Sequence, residues 1–471
     1  MKLSRRTKLL YGFGFSAQGI KDGLFQIFLF FYFSQVLGLD AGLTGLATII
    51  ALLFDAISDP LIGILSDRWK SKIWGRRHGF MLSSAIPLGV FIYLLFLPPS
   101  DLDQIELFLW LTIFTVLVRL SLTLFQVPSM SLGAELSTDY NERTSVTSYR
   151  IMFAALISTL IVIVGFVLFF IPSKEYSRGL MNPNTYPKFA LFCGLSIIAS
   201  IIISTLGTRK VIPKLQKAKE NKNKFSLKSF FKEVKMMFKM KSYRTIILYT
   251  MVVYIGIGVG TVFTTYFMEY YFQFTENQMA LLPISSGIGG VLALFLASRL
   301  GKIFDKKRAV LYSTIAFSFL FSLPYNLRLL GVFPENGESI LMLIYFICIL
   351  LAYTFLWIVL SLINSMMADV VDEFELKTNK RDEGLFFSSM SFAYKCTVGV
   401  GYFVAGILLK IIAFPKQLNA EDIPKEAIES LGIIGGPVLM SIYLLAIVFL
   451  TAYPINKKRH HEIRVALENK K

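Results

Sequence analysis

Twelve predominantly apolar stretches succeed one another along the 471-residue chain, at 9–37, 43–66, 80–98, 107–135, 150–172, 187–207, 244–273, 279–300, 309–330, 339–371, 384–414 and 431–454. An α-helix needs about 20 such residues to cross a bilayer, so each stretch predicts one span. Several are longer than a bilayer requires, which predicts tilt or extension beyond it. The first follows a short basic segment with no small-residue cleavage site, and it reads as a retained helix and not a signal peptide. The expectation is an all-α membrane protein with twelve transmembrane helices.

The connecting segments alternate in charge. Four basic residues and no acid precede residue 9, the 67–79 loop has five basic residues against Asp67, and 208–243 has twelve against Glu220 and Glu233. The 301–308 loop and the tail from 455 are also basic, whereas the opposite loops carry Asp101, Asp103, Glu106, Glu276, Glu335 and Glu338. The positive-inside rule then predicts both termini in the cytoplasm, which an even number of spans requires, and a location in the plasma (inner) membrane.

The halves echo each other at an offset of about 236 residues. Phe33, Ser34, Gln35 and Asp40 parallel Phe272, Gln273 and Glu276, and SMSLGAELSTDY (129–140) parallels SMMADVVDEFEL (365–376). Arg143 then parallels Arg381. Six-span repeats are the mark of transporter halves that rock about a midplane site. The predicted organisation is a six-helix half at 1–207, a basic linker at 208–243, a second half at 244–454 and a basic tail at 455–471.

Composition narrows the classes. Hydrophobic residues make up 55% of the chain and charged residues 17%, at a net charge of +17. Such apolar content excludes a soluble enzyme and a nucleic-acid binder, and the excess charge resides in the linker and tails as a topology determinant. Cys193, Cys348 and Cys396 lie in apolar runs with no CxxC or CxxH spacing, so neither a disulfide framework nor a zinc site is expected. His78, His460 and His461 all fall in basic polar segments, leaving no candidate for a buried catalytic histidine.

Charges inside the spans are costly and should face a cavity or a partner. Asp55 and Asp59 stand one helical turn apart on one face. Two like charges so close must share a cation or a proton, or be neutralised by Lys395 or Arg119 as a structural bridge. Asp22 and Arg150 combine a carboxylate and a guanidinium suited to binding hydroxyls; the alternative is that each is held in an ion pair. Glu269, among Tyr266, Tyr270 and Tyr271, is a further candidate for the cavity wall. Asp67, Arg68, Glu135, Arg143, Asp369 and Arg381 occur at the basic-loop ends of their helices, as charge pairs of a cytoplasmic gate or as plain helix caps.

Specific segments match a known family: FDAISDPLIGILSDRWKSKIWGRRHGF (54–80), FQVPSMSLGAELSTDYNERTSVTSYR (125–150), MADVVDEFELKTNKRDEGLF (367–386) and the lysine of FAYKCTVGVGYF (392–403). On these the chain resembles the glycoside–pentoside–hexuronide:cation symporters, the melibiose permease-like group of the major facilitator fold. The resemblance implies two pseudo-symmetric six-helix halves and no enzymatic activity. It implies a coupling cation, Na⁺ or H⁺, at Asp55 and Asp59 with Thr123 as a further oxygen ligand and with no other cofactor. It implies substrate contact by Asp22 and Arg150, with Lys395 close to the cation. Two positions depart from the melibiose pattern, where Gln126 replaces an aspartate and Met130 a stacking tryptophan. The expected function is cation-coupled symport of a sugar, glycoside or uronate, with a lysophospholipid or other amphiphile as the alternative cargo. A membrane-embedded enzyme and a non-transporting sensor are the competing classes.

Overall fold

The computed structural model describes residues 3–69, 71, 73–136, 139–214, 235–379 and 382–469. All regular elements among them are helical. Eleven helices are long and apolar enough to cross a membrane. The remaining expected span, 9–37, is present in pieces: Arg5–Gly14, Ser16–Leu24, and the π-helical turns Phe25–Leu29 and Tyr32–Val36. Together these pieces are α1, a span too interrupted to register as one helix.

The other spans are α2 (Ala41–Arg68), α3 (His78–Leu95), α4 (Gln104–Glu135), α5 (Tyr140–Val164), α6 (Thr185–Thr208), α7 (Lys241–Tyr271), α8 (Glu276–Ile303), α9 (Lys306–Leu329), α10 (Ser339–Thr378), α11 (Glu383–Ile411) and α12 (Lys425–Thr451). Their starts are set by side-chain caps that satisfy otherwise unpaired backbone donors. Asp40 accepts from the Gly42 and Leu43 amides, Asp103 forms a capping box with Glu106, and Thr275 does so with Gln278. The paired caps of α2 and α8 lie at corresponding places in the two halves, and α1 and α7 both end in a π-helical turn.

Several spans begin earlier or run longer than hydropathy suggests. α5 starts at Tyr140, ten residues before its expected start at 150, and α10 continues to Thr378 beyond the expected end at 371. In both cases a polar, helix-compatible segment extends an apolar one. The tail from 455 holds a further helix, α13 (Lys457–Glu468), which buries Ile463 and Leu467 against the second half.

The halves meet most extensively through α2 with α11 and α5 with α8, and α1 also contacts α7. The α2–α11 approach is close because it uses glycine. A Cβ at Gly406 would stand 2.2 Å from the Ala41 carbonyl oxygen, and one at Gly45 would stand 2.8 Å from the Tyr402 oxygen.

Candidate functional site

The second helix brings Asp55 and Asp59 to one face, directed at α4 and α11. Thr123 Oγ1 of α4 lies 3.1 Å from Asp55 Oδ1 and 3.0 Å from Asp59 Oδ1. A hydroxyl has one proton to donate, so it cannot satisfy two ionised oxygens at once. Arg119 Nη1, one turn before Thr123, donates to Asp55 Oδ2 at 3.3 Å. From the other half, Lys395 Nζ of α11 lies 3.1 Å from Asp55 Oδ2 and is in direct contact with Asp59 Oδ2. Pro60 follows immediately inside α2 and has no amide N–H, so the Ala56 carbonyl lacks its helical donor. The Asp55 side chain is 11% exposed and that of Asp59 33%, so Asp59 is the more accessible carboxylate.

A second polar group is built on α1. Asp22 is in ion-pair contact with its neighbour Lys21 and accepts from Gln18 Nε2 at 3.4 Å. Gln126 Nε2 of α4 donates to Gln18 Oε1 at 3.2 Å, so a chain of contacts runs from Gln126 through Gln18 to Asp22. Arg150 of α5 holds its guanidinium carbon 5.6 Å from the centre of the Phe15 ring, which also packs on Phe125. Met130 is 43% exposed and offers a thioether surface. The ring of Tyr394, beside Lys395, meets Tyr254 edge-on at 4.6 Å.

Of the expected site residues, Asp55, Asp59, Thr123 and Lys395 come together in one cluster. Asp22 and Gln126 meet through Gln18. Glu269 is separate: it lies in the π-helical end of α7, is 1% exposed, and faces Arg178 Nε at 3.4 Å. That region is sealed by contacts between the halves. Ser34 Oγ lies 2.7 Å from the Tyr266 hydroxyl, Thr265 Oγ1 donates to the Ile27 carbonyl at 2.8 Å, and Arg178 Nη1 donates to the Phe274 carbonyl at 2.8 Å. The acidic-loop ends of the halves are therefore closed on each other.

At the basic-loop ends, three of the gate candidates, Asp67, Glu135 and Asp369, pair within their own halves. Arg77 binds both Asp67 and Glu135, the latter at 3.0 Å, and Lys306 lies 2.7 Å from Asp369. His460 of α13 adds a contact to Asp369 at 3.4 Å. Arg143 lies in the first turn of α5; Arg381 and the Arg68 side chain lie outside the described residues. The histidine expectation needs correction: His78 is buried, with Nε2 3.1 Å from Thr208 Oγ1. Its basic neighbours suggested exposure, but its side chain turns inward against α6. Among the described residues no cluster of three or more His, Cys, Asp and Glu side chains suits a metal ion.

The sequence marks Arg119 only as a neutralising partner of the aspartate pair and gives Gln18 no role. Their signal was a polar side chain at membrane depth, which for Gln18 was masked by the adjacent charges of Lys21 and Asp22.

The fold and the sequence have known parallels. A solved structure of the nucleoside transporter NupG superposes with a TM-score of 0.64 over 95% of this chain and 99% of its own, at 13% identity, a likeness of major facilitator fold alone. An uncharacterised symporter of Synechocystis sp. is 25% identical over 99% of this chain and 97% of its own. The sodium-dependent lysophosphatidylcholine symporter 1 of Gallus gallus is 24% identical over 99% of this chain and 90% of its own. These relatives are transporters and not enzymes. The family model described as MFS/sugar transport protein matches residues 10–457, and the chain belongs to that family of integral membrane transporters.

Proposed function

We propose that the protein is a cation-coupled symporter of a sugar, glycoside or uronate, working by alternating access. The observation that carries this reading is the convergence of Asp55, Asp59 and Thr123 oxygens under the ammonium of Lys395. Three hard oxygens with one hydroxyl proton among them suit a small cation, Na⁺ or H⁺. Lys395 comes from the opposite half, so a cation that takes these oxygens loosens a bridge between the halves. Cation occupancy and the rocking of α2 against α11 are thereby linked. Asp22, Arg150, Gln126 and Met130 form the adjacent substrate wall, and Lys395 sits between the two ligand sites. Glu269 belongs to the closing surface at the acidic-loop end and not to the substrate wall.

In this reading both termini are cytoplasmic, and the protein sits in the plasma membrane. The accessible Asp59, with the opposite ends sealed, corresponds to an inward-facing state. Asp67, Glu135 and Asp369 are then gate residues parted from the other half, with Arg68, Arg143 and Arg381 as their expected partners.

A lysophospholipid is the second cargo, supported by the similarity to the Gallus gallus symporter and by Met130 in place of a flat ring. Uptake of a labelled glycoside panel and a labelled lysophospholipid into proteoliposomes tests the proposal. The expected result is accumulation under an inward Na⁺ or H⁺ gradient. Uptake indifferent to both gradients would refute coupling.

A further inference from the structure

The charges at the centre of the molecule do not balance. Around the two polar groups, the cations Lys21, Arg119, Arg150 and Lys395 outnumber the carboxylates Asp22, Asp55 and Asp59 by one. Each carboxylate has a cation of its own: Lys21 on Asp22, Arg119 on Asp55, and Lys395 bridging Asp55 to Asp59. Arg150 is the remainder. Among the described residues it makes neither an ion pair nor a side-chain hydrogen bond, and its one contact of this kind is the Phe15 ring.

The nearby candidates for a partner are engaged elsewhere. Glu142, two turns earlier on α5, is 2.8 Å from Lys8 Nζ and accepts from the Leu3 amide. The Tyr11 hydroxyl donates to the Ser129 carbonyl at 3.1 Å. A guanidinium keeps its charge at any accessible pH and offers five donors in a planar fork. An aromatic face satisfies the charge in part and the donors not at all. Binding of a coupling cation at Asp55 and Asp59 adds a positive charge to this region and increases the imbalance. A neutral glycoside does not correct it.

Resting on the symport reading above, we infer that the substrate carries an anionic oxyacid group, a carboxylate or a phosphate, which pairs with Arg150. Such groups accept two parallel N–H bonds from a guanidinium. Gln126, Gln18 and Asp22 then face the hydroxyls of the same molecule. Two sources share this chemistry, a uronide carboxylate and a lysophospholipid phosphate.

The test uses the purified full-length chain and three probes at equal concentration: methyl β-glucoside, methyl β-glucuronide and a lysophosphatidylglycerol. Binding is read from the ligand-induced shift in thermal midpoint and from uptake into proteoliposomes. The expected result is that one anionic probe binds at least 10-fold more tightly than the glucoside. Arg150→Gln should abolish that preference and weaken the anionic probe about 10- to 100-fold. Arg150→Lys, which keeps the charge and loses the fork, should retain part of it and guards against a folding defect in the first variant. The glucuronide or the lysolipid as the preferred probe identifies the source. Equal or better binding of the neutral glucoside overturns the inference and leaves symport standing. An anionic preference unchanged in both variants overturns the role of Arg150. Failure of both anionic probes, with gradient-driven uptake of the glucoside, likewise overturns it. Absence of gradient-driven uptake of all three overturns the symport reading itself.

Discussion

At the scale of single residues, the proposed symport makes the centre of the molecule a contest between a lysine and a cation for the same oxygens. Lys395 touches both aspartates, and Arg119 adds a second positive charge beside Asp55. Removing one partner of a buried pair typically costs about 3–5 kcal/mol, because the other charge is left uncompensated. Lys395→Ala should therefore destabilise the protein, and the loss should be recovered by the coupling cation. The measurement is the thermal midpoint of variant and wild type against NaCl concentration and against pH. The variant is expected to gain more than the wild type from one of the two. Equal responses to both would separate Lys395 from the cation site. Much of this cluster was legible in the sequence, because Asp55 and Asp59 at a spacing of four fix one helical face. The convergence of Thr123 and Arg119 on that face depends on how α4 lies against α2, which spacing within one helix does not encode. Glu269 misled for the same reason: its charge marked it as consequential, but only the packing of α7 on the loop after α5 put it opposite Arg178.

At the scale of elements, the proposed function makes the closely packed α2–α11 pair the place where cation binding would become movement. Gly406 and Gly45 let the backbones approach closely, and a side chain at 406 has the Ala41 carbonyl in its way. Filling a packed contact costs about 1–3 kcal/mol and forces the elements apart. Gly406→Val should lower the uptake rate at least 10-fold while leaving membrane insertion intact, and Gly406→Ala should fall between. Uptake by Gly406→Val at the wild-type rate would show that the close approach is not needed for the cycle. The π-helical turns of α1 and α7 form part of the closed end, with Ser34 and Gln35 facing Tyr266. The wider turn swings side chains away from the regular helical face. This is why hydropathy placed a helix at 9–37 without disclosing its interruptions.

At the scale of the whole molecule, the twelve-span reading followed from the alternation of apolar runs and basic loops, and the major facilitator fold from the family resemblance of the segments around Asp55, Pro128, Asp369 and Lys395. Bilayer thickness leaves few ways to arrange such a chain. Helix α13 was hidden because its twelve residues bury only Ile463 and Leu467, while its charged residues read as a solvated tail. Its contacts with Asp369 and Asp372 fasten the tail to the basic-loop end of α10. The same view joins the proposed cation site at Asp55 and Asp59, the Arg150 guanidinium and the closed acidic-loop end through the helix pairs that join the halves.

The central claim is that Asp55 and Asp59 convert a cation gradient into substrate accumulation. It is tested most directly in proteoliposomes with Asp55→Asn and Asp59→Asn combined, comparing gradient-driven accumulation with equilibrium exchange of the same labelled substrate. The account predicts that accumulation collapses to the equilibrium level while exchange persists, since the substrate wall on α1, α4 and α5 is untouched. Accumulation at the wild-type level in the double variant would contradict it.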